Sequence, residues 1–153
     1  MPPYSPKPIN MLIRNDVTEL AAVRSTLERV SNEIGLPEKI LTQLLVGVDE
    51  LVSNVIKYGW PDATDGAIHE INICIIPGAD SLEIEIIDDG QAFDPDLAPK
   101  PKPPLPGRRP RPGGIGLYMA RKLVDDIRYK RVDGHNHTVI TKRYRLLTRR
   151  GIG

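Results

Sequence analysis

Three short clusters in this chain have residue types and spacings suited to chemistry. In Glu50-Leu51-Val52-Ser53-Asn54, a carboxylate and an amide stand four apart, so a helix would put them on one face. A carboxylate there can take a proton, and an amide oxygen can ligate a hard cation such as Mg²⁺. The same face would carry Gln43 and Gly47 and points away from the stripe Leu44, Val48, Leu51 and Val55. A solvated polar face is the plainer reading of such a pair. Gly47 in mid-helix costs about 1 kcal/mol against alanine, which suggests that something packs closely on that side.

The second cluster is Asp88-Asp89-Gly90-Gln91-Ala92-Phe93-Asp94. Asp-Gly is a turn signal. Asp88, however, ends an alternating strand, so the pleat fixes its direction. Gly90 and Ala92 are small enough for a flat ligand to approach the backbone while Asp88 accepts from an exocyclic amine. The third cluster, Gly113-Gly114-Ile115-Gly116, opens a helix. Small residues there let first-turn amides point at an anion, with the helix dipole behind them. Glycines also serve helix entry alone, but Arg108, Arg109 and Arg111 lie just upstream, and guanidinium forks match phosphate oxygens. No Gly-Lys-Ser/Thr follows, so this is not a Walker A loop.

The elements that must position these clusters follow from periodicity. Ile9–Arg14 reads as a strand, and Asp16 with Glu19 forms a capping-box pattern. Val17, Leu20, Val23, Leu27, Val30 and Ile34 repeat at helical spacing up to Gly35. Pro37 opens a second helix running to about Tyr58. Ile71, Ile73 and Ile75, then Leu82, Ile84 and Ile86, alternate as two strands joined by the turn Pro77-Gly78-Ala79-Asp80. After the glycines, Ala120, Leu123, Val124 and Ile127 mark one face of a third helix. Strands near Ile127–Asp133 and His137–Leu147 close the chain, with Asp133-Gly134-His135-Asn136 as their turn. The order β-α-α-β-β-loop-α-β-β predicts an α+β fold: a two-layer α/β sandwich with a mixed, mostly antiparallel sheet and three helices on one face. A doubly wound nucleotide fold does not fit, because strands and helices do not alternate strictly.

Bulk composition narrows the classes. At 153 residues one domain is expected. Hydrophobic content of 40%, charged content of 27% and net charge +1 exclude a disordered polyelectrolyte and give no global reason for nucleic-acid binding. Aromatic content of 5% means an aliphatic core. The one cysteine, Cys74, is expected to be buried and cannot form an internal disulfide; a reduced, cytoplasmic setting fits. His69, His135 and His137 lack metal-ligand spacing with it. No apolar run approaches the roughly 18–20 residues of a membrane span, and MPPYSPKP lacks a signal-peptide core. Eight of the 15 prolines fall between Pro95 and Pro112, a stretch that cannot be helix or central strand. Together with Lys100, Lys102, Arg108, Arg109 and Arg111 they predict a stiff, extended, phosphate-seeking flap. The expected organisation is a flexible arm over 1–8, one domain over 9–147 with the proline-rich segment 95–112 inside it, and a frayed end over 148–153.

Read together, ELVSN-VIKYG, DDGQAFDP and PGGIGLYMARKLVDD resemble the N, G1 and G2 boxes of the GHKL ATPase superfamily. From about Ile9 to Arg145 the chain resembles the stand-alone bacterial anti-sigma factors that are serine-protein kinases. The resemblance implies ATP and Mg²⁺ as ligands and an ATP lid at 95–112. It implies Glu50 as general base and Asn54 as Mg²⁺ ligand, with Asp88 reading the adenine amine and Gly90 beside the base. Gly113, Gly114 and Gly116 would hold phosphates, and Arg109 and Arg111 would be lid cations. It further implies a STAS-class anti-anti-sigma protein as phospho-acceptor, a sigma factor as second partner, and a homodimer, with no direct nucleic-acid or membrane contact. Ala92 replaces a superfamily glycine, and the usual Gly-Thr pair after the G2 helix is not evident, with Asn136 and Thr138 both open as stand-ins. A regulatory module that binds ATP and sequesters a partner without phosphoryl transfer is the alternative. A detached histidine-kinase domain would need a helical phospho-accepting histidine, and a gyrase-like ATPase would need a transducer domain.

Overall fold

The computed structural model describes residues 7–62, 66–95, 106 and 114–144. Its elements are β1 (Ile9–Arg14), a 3-10 turn (Val17–Glu19), α1 (Leu20–Ile34), α2 (Glu38–Tyr58), β2 (Glu70–Pro77), β3 (Ser81–Asp88), α3 (Gly114–Leu123), β4 (Asp126–Val132) and β5 (His135–Arg143). The strands form one five-stranded sheet in the order β1-β2-β3-β5-β4. All four pairings are antiparallel. The expected α+β sandwich is therefore present. Its sheet, however, is wholly antiparallel among the described strands and not mixed as expected, because each neighbouring pair runs in opposite directions. Its last hairpin folds back so that β5, not β4, lies beside β3.

Alternation makes the sheet two-sided. Ile71, Ile73 and Ile75 of β2 and Leu82, Ile84 and Ile86 of β3 are fully buried beneath the helices. They meet Val23, Leu27 and Val30 of α1 and Leu44, Val48 and Val52 of α2. Each such side chain contributes about 1.5–3 kcal/mol on burial. The core is aliphatic as composition demands; Tyr144 is its one buried aromatic among the described residues. Cys74 differs from expectation. It lies on the outer face of β2 and is half-buried, because its neighbours Ile73 and Ile75 take the inward positions.

Local signals set most boundaries. Asp16 caps by accepting from the Thr18 amide at 2.9 Å, while Glu19 reaches back to the Arg14 amide at 3.0 Å. The first turn is thus 3-10, and α1 proper begins at Leu20. Gly35 closes α1 with φ 72°, a left-handed conformation that favours glycine. The largest departure is at the last hairpin. Asp133 and Gly134 both have positive φ, 51° and 76°, so they alone make a two-residue turn with Val132 paired to His135. Asn136, expected in the turn, is instead a strand residue facing the helices. Ile127, expected on the third helix as well as in a strand, belongs to β4.

Candidate functional site

The Glu50/Asn54 pair forms as its spacing requires, with Asn54 Nδ2 donating to Glu50 Oε1 at 3.4 Å. That bond leaves the Asn54 amide oxygen turned to other partners. The face is only partly solvated, however. Gly47 is buried, and a Cβ there would lie 3.0 Å from Val124 Cγ1 just beyond α3. The mid-helix glycine is what lets α3 lie down on α2. One turn further along α2, a Cβ on Gly116 would overlap the Glu50 carboxylate. The structure thus sets the first turn of α3 directly against Glu50.

Asp88 ends β3 and is 3% exposed. Its Oδ1 accepts from the Gly90 amide at 2.9 Å and from Asn136 Nδ2 at 3.0 Å. Burial pushes its carboxyl above the ordinary carboxylate range, while those two donors and the Arg131 charge pull it back and Asp89 adds to the rise. Gly90 is required by close approach: a Cβ there would sit 2.7 Å from the Gly59 carbonyl oxygen. The segment is stitched to the end of α2 by the Gln91 amide on Gly59 O (2.7 Å) and Gln91 Nε2 on Tyr58 O (2.6 Å).

A narrow cleft, partly open to solvent, lies between these elements. Asn54 and Asp88 both line it, Leu51, Val55 and Ile86 give it apolar walls, and Asn136 and Thr138 border it from β5. Phe93, 40% exposed, and Pro95 also line it, as do Tyr58, Gly59 and Gln91 at the end of α2 and beyond β3. Such a slot suits a flat heteroaromatic ring with an exocyclic donor at Asp88. The α3 N-terminus beside Glu50 suits an anion, with a hard cation at the Asn54 oxygen. Among the described residues no group of three or more His, Cys, Asp or Glu could hold a metal ion by itself. A cation here would therefore share its ligands between Asn54 and a bound anion.

The structure brings together Glu50, Asn54, Asp88, Gly90 and Gly116, and it starts α3 at Gly114. Arg109, Arg111, Gly113 and nearly all of the 95–112 segment lie outside the described residues. Sequence reasoning missed Tyr129, Arg131 and Trp60. Tyr129 and Arg131 both donate to Asn136 Oδ1. The Trp60 indole donates to Asp89 Oδ1 at 3.1 Å and stacks on His69, with ring centroids 4.5 Å apart. The Asp-Gly turn was the available signal for the first two, since its register puts Arg131 opposite Asn136. Nothing local marks Trp60, whose partners lie 29 and nine positions away.

Comparison with known proteins agrees with the fold. A family model described as a histidine kinase-like ATPase domain matches residues 13–142. A serine-protein kinase RsbW of Oceanobacillus iheyensis is 31% identical over 113 residues, covering 71% of this chain and 70% of its own. A serine/threonine-protein kinase BtrW of Bordetella bronchiseptica is 25% identical, covering 86% of this chain and 95% of its own. Among solved structures, a Mycobacterium tuberculosis chain carrying RsbU and RsbW domains superposes with TM-score 0.63 at 21% identity. The match covers 94% of this chain but only 35% of that longer one, so it speaks to fold.

Proposed function

The chain belongs to the histidine kinase-like ATPase domain family, and from that premise we propose that it is a serine/threonine protein kinase of the anti-sigma-factor type. Its substrates are Mg-ATP and a hydroxyl on a small STAS-class partner protein, and a sigma factor is its second partner in a switch that regulates transcription. One observation carries the reading: Glu50 lies against the first turn of α3, with Asn54 one turn away lining the cleft that ends at Asp88. A proton acceptor, an anion-binding helix end and a base-reading carboxylate then serve one extended ligand.

Phosphoryl transfer needs mainly positioning and charge stabilisation. Asp88 accepts from the adenine amine, and Gly90 keeps the backbone low enough for the ring. The α3 amides of Gly114 and Gly116 take phosphate oxygens, and Asn54 holds the cation. Magnesium, when bound, supplies neutralisation of phosphate charge. Glu50 accepts the proton as the acceptor oxygen bonds to the γ-phosphorus and the bond to the ADP oxygen breaks. Arg109, Arg111 and Gly113 belong to the same proposal as further phosphate contacts, with 95–112 as the lid. Homodimerisation is part of it too.

The test is labelling of a STAS partner from γ-labelled Mg-ATP. Glu50→Ala should lower the rate by at least about 10²-fold while nucleotide affinity is kept. Equal labelling by the variant would remove Glu50 from its role. Tight nucleotide binding with no transfer to any STAS protein would favour a module that only sequesters its partner.

A further inference from the structure

A three-strand row behind Asp88 has no part in the chemistry above. Asp88 of β3 pairs in register with Asn136 of β5, and Asn136 pairs with Arg131 of β4. Asn136 is 4% exposed, so its amide must be satisfied internally. It is. Nδ2 donates to Asp88 Oδ1 (3.0 Å), to Gln91 O (2.9 Å) and, more weakly, to Gly90 O (3.3 Å). Oδ1 accepts from Tyr129 Oη (2.5 Å) and Arg131 Nη1 (2.8 Å), and Arg131 Nη1 also donates to Gly90 O at 3.0 Å. With two donors on one end and three acceptors on the other, the amide has only one sensible orientation.

The consequence falls on Asp88. Asn136 can offer its carboxylate only a donor, as can the Gly90 amide, and both are spent on Oδ1. A proton on Asp88 would therefore have to sit on Oδ2. Ionised, Oδ2 accepts from an exocyclic amine; protonated, it donates to an exocyclic oxygen. Burial favours the protonated form, and the Asn136 donor opposes it.

We propose that Asn136, held by Tyr129 and Arg131, is a positioning and specificity-determining residue: it keeps Asp88 an acceptor and so sets preference for a 6-amino over a 6-oxo purine nucleotide. This rests on the nucleotide reading of the cleft. Without Asn136, Asp88 would lose a donor and a constraint, and the 6-oxo ring would become admissible. The group acts through Asp88 and does not itself perform chemistry.

The experiment compares binding of ATP and inosine triphosphate, whose 6-oxo group stands where ATP carries its amine. Wild type should bind ATP tighter by at least about tenfold, the cost of leaving a buried acceptor facing an acceptor. Asn136→Ala should reduce that ratio by about fivefold or more, by weakening ATP and by admitting inosine triphosphate. The double variant Tyr129→Phe/Arg131→Met leaves Asn136 in place and removes the donors that hold it. It should shift the ratio the same way, and it carries the test if Asn136→Ala does not fold. A purely structural role would weaken both nucleotides by one factor; an unchanged ratio in folded variants overturns the inference and leaves the nucleotide reading standing. Wild-type protein that binds neither nucleotide overturns both.

Discussion

Asp88 shows what one residue contributes. Its burial costs the ionised form, and its donors recover only part of that cost, so its folded pKa stays above the ordinary 3.8. The sign follows. The native state holds this proton more tightly than the unfolded chain, so the group's stabilising contribution is present below pH 3.8 and lost as pH rises through the folded value. Asp88→Asn has no such loss. Its stability relative to wild type should therefore grow as pH is raised from about 4 toward neutrality, read from urea midpoints, while ATP affinity falls. A relative stability that shrinks with rising pH would mean that the Gly90 and Asn136 donors outweigh burial. Carrying a buried carboxylate at a stability cost is what a ligand-reading group would be expected to do.

At the scale of elements, two glycines decide how α3 meets α2. Gly116 is in the first turn of α3, where alanine would be a better helix former by about 1 kcal/mol. The added methyl would overlap the Glu50 carboxylate, which must then swing aside. Gly116→Ala should leave thermal stability unchanged or slightly raised and slow phosphoryl transfer by about tenfold or more, since small misplacements of a reacting group are costly. Calorimetry and the labelling assay would separate the two effects. Gly47 acts differently, because Val124 already lies where its Cβ would make tight contact. Gly47→Leu should cost about 1–3 kcal/mol of stability by overpacking, and weaken nucleotide binding by moving α3 off its seat. The glycine itself was visible in the sequence as an oddity of α2. Which element it admits was not, because Val124 is 77 positions away and only the crossing of two helices brings it there.

At the scale of the molecule, the cleft is closed by elements that are distant in sequence, so a ligand filling it should stabilise the whole domain. Mg-ATP at 100 times its Kd should add about 2.7 kcal/mol. For a domain of this size that raises Tm by about 5–10 °C. Asn54→Ala should keep the increment given by ATP alone and lose the further part contributed by Mg²⁺, as read by thermal melts with and without chelator. Among the described residues no helix is long and apolar enough to cross a membrane.

The sequence by itself determined the elements, the two-sided sheet and the three clusters, because these depend on periods of about two and 3.6 and on spacings within one element. It also carried the family resemblance, since the boxes are local strings. Only the tertiary structure decided that the polar face of α2 is covered by α3, that Gly116 abuts Glu50, and that Asn136 joins the strand beside Asp88. Those facts depend on helix crossing and strand register. A two-residue turn at Asp133-Gly134 fixes the register of β4 and β5, and β5 then settles beside β3 because its inward Thr138 and Ile140 pair with Ile86 and Ile84.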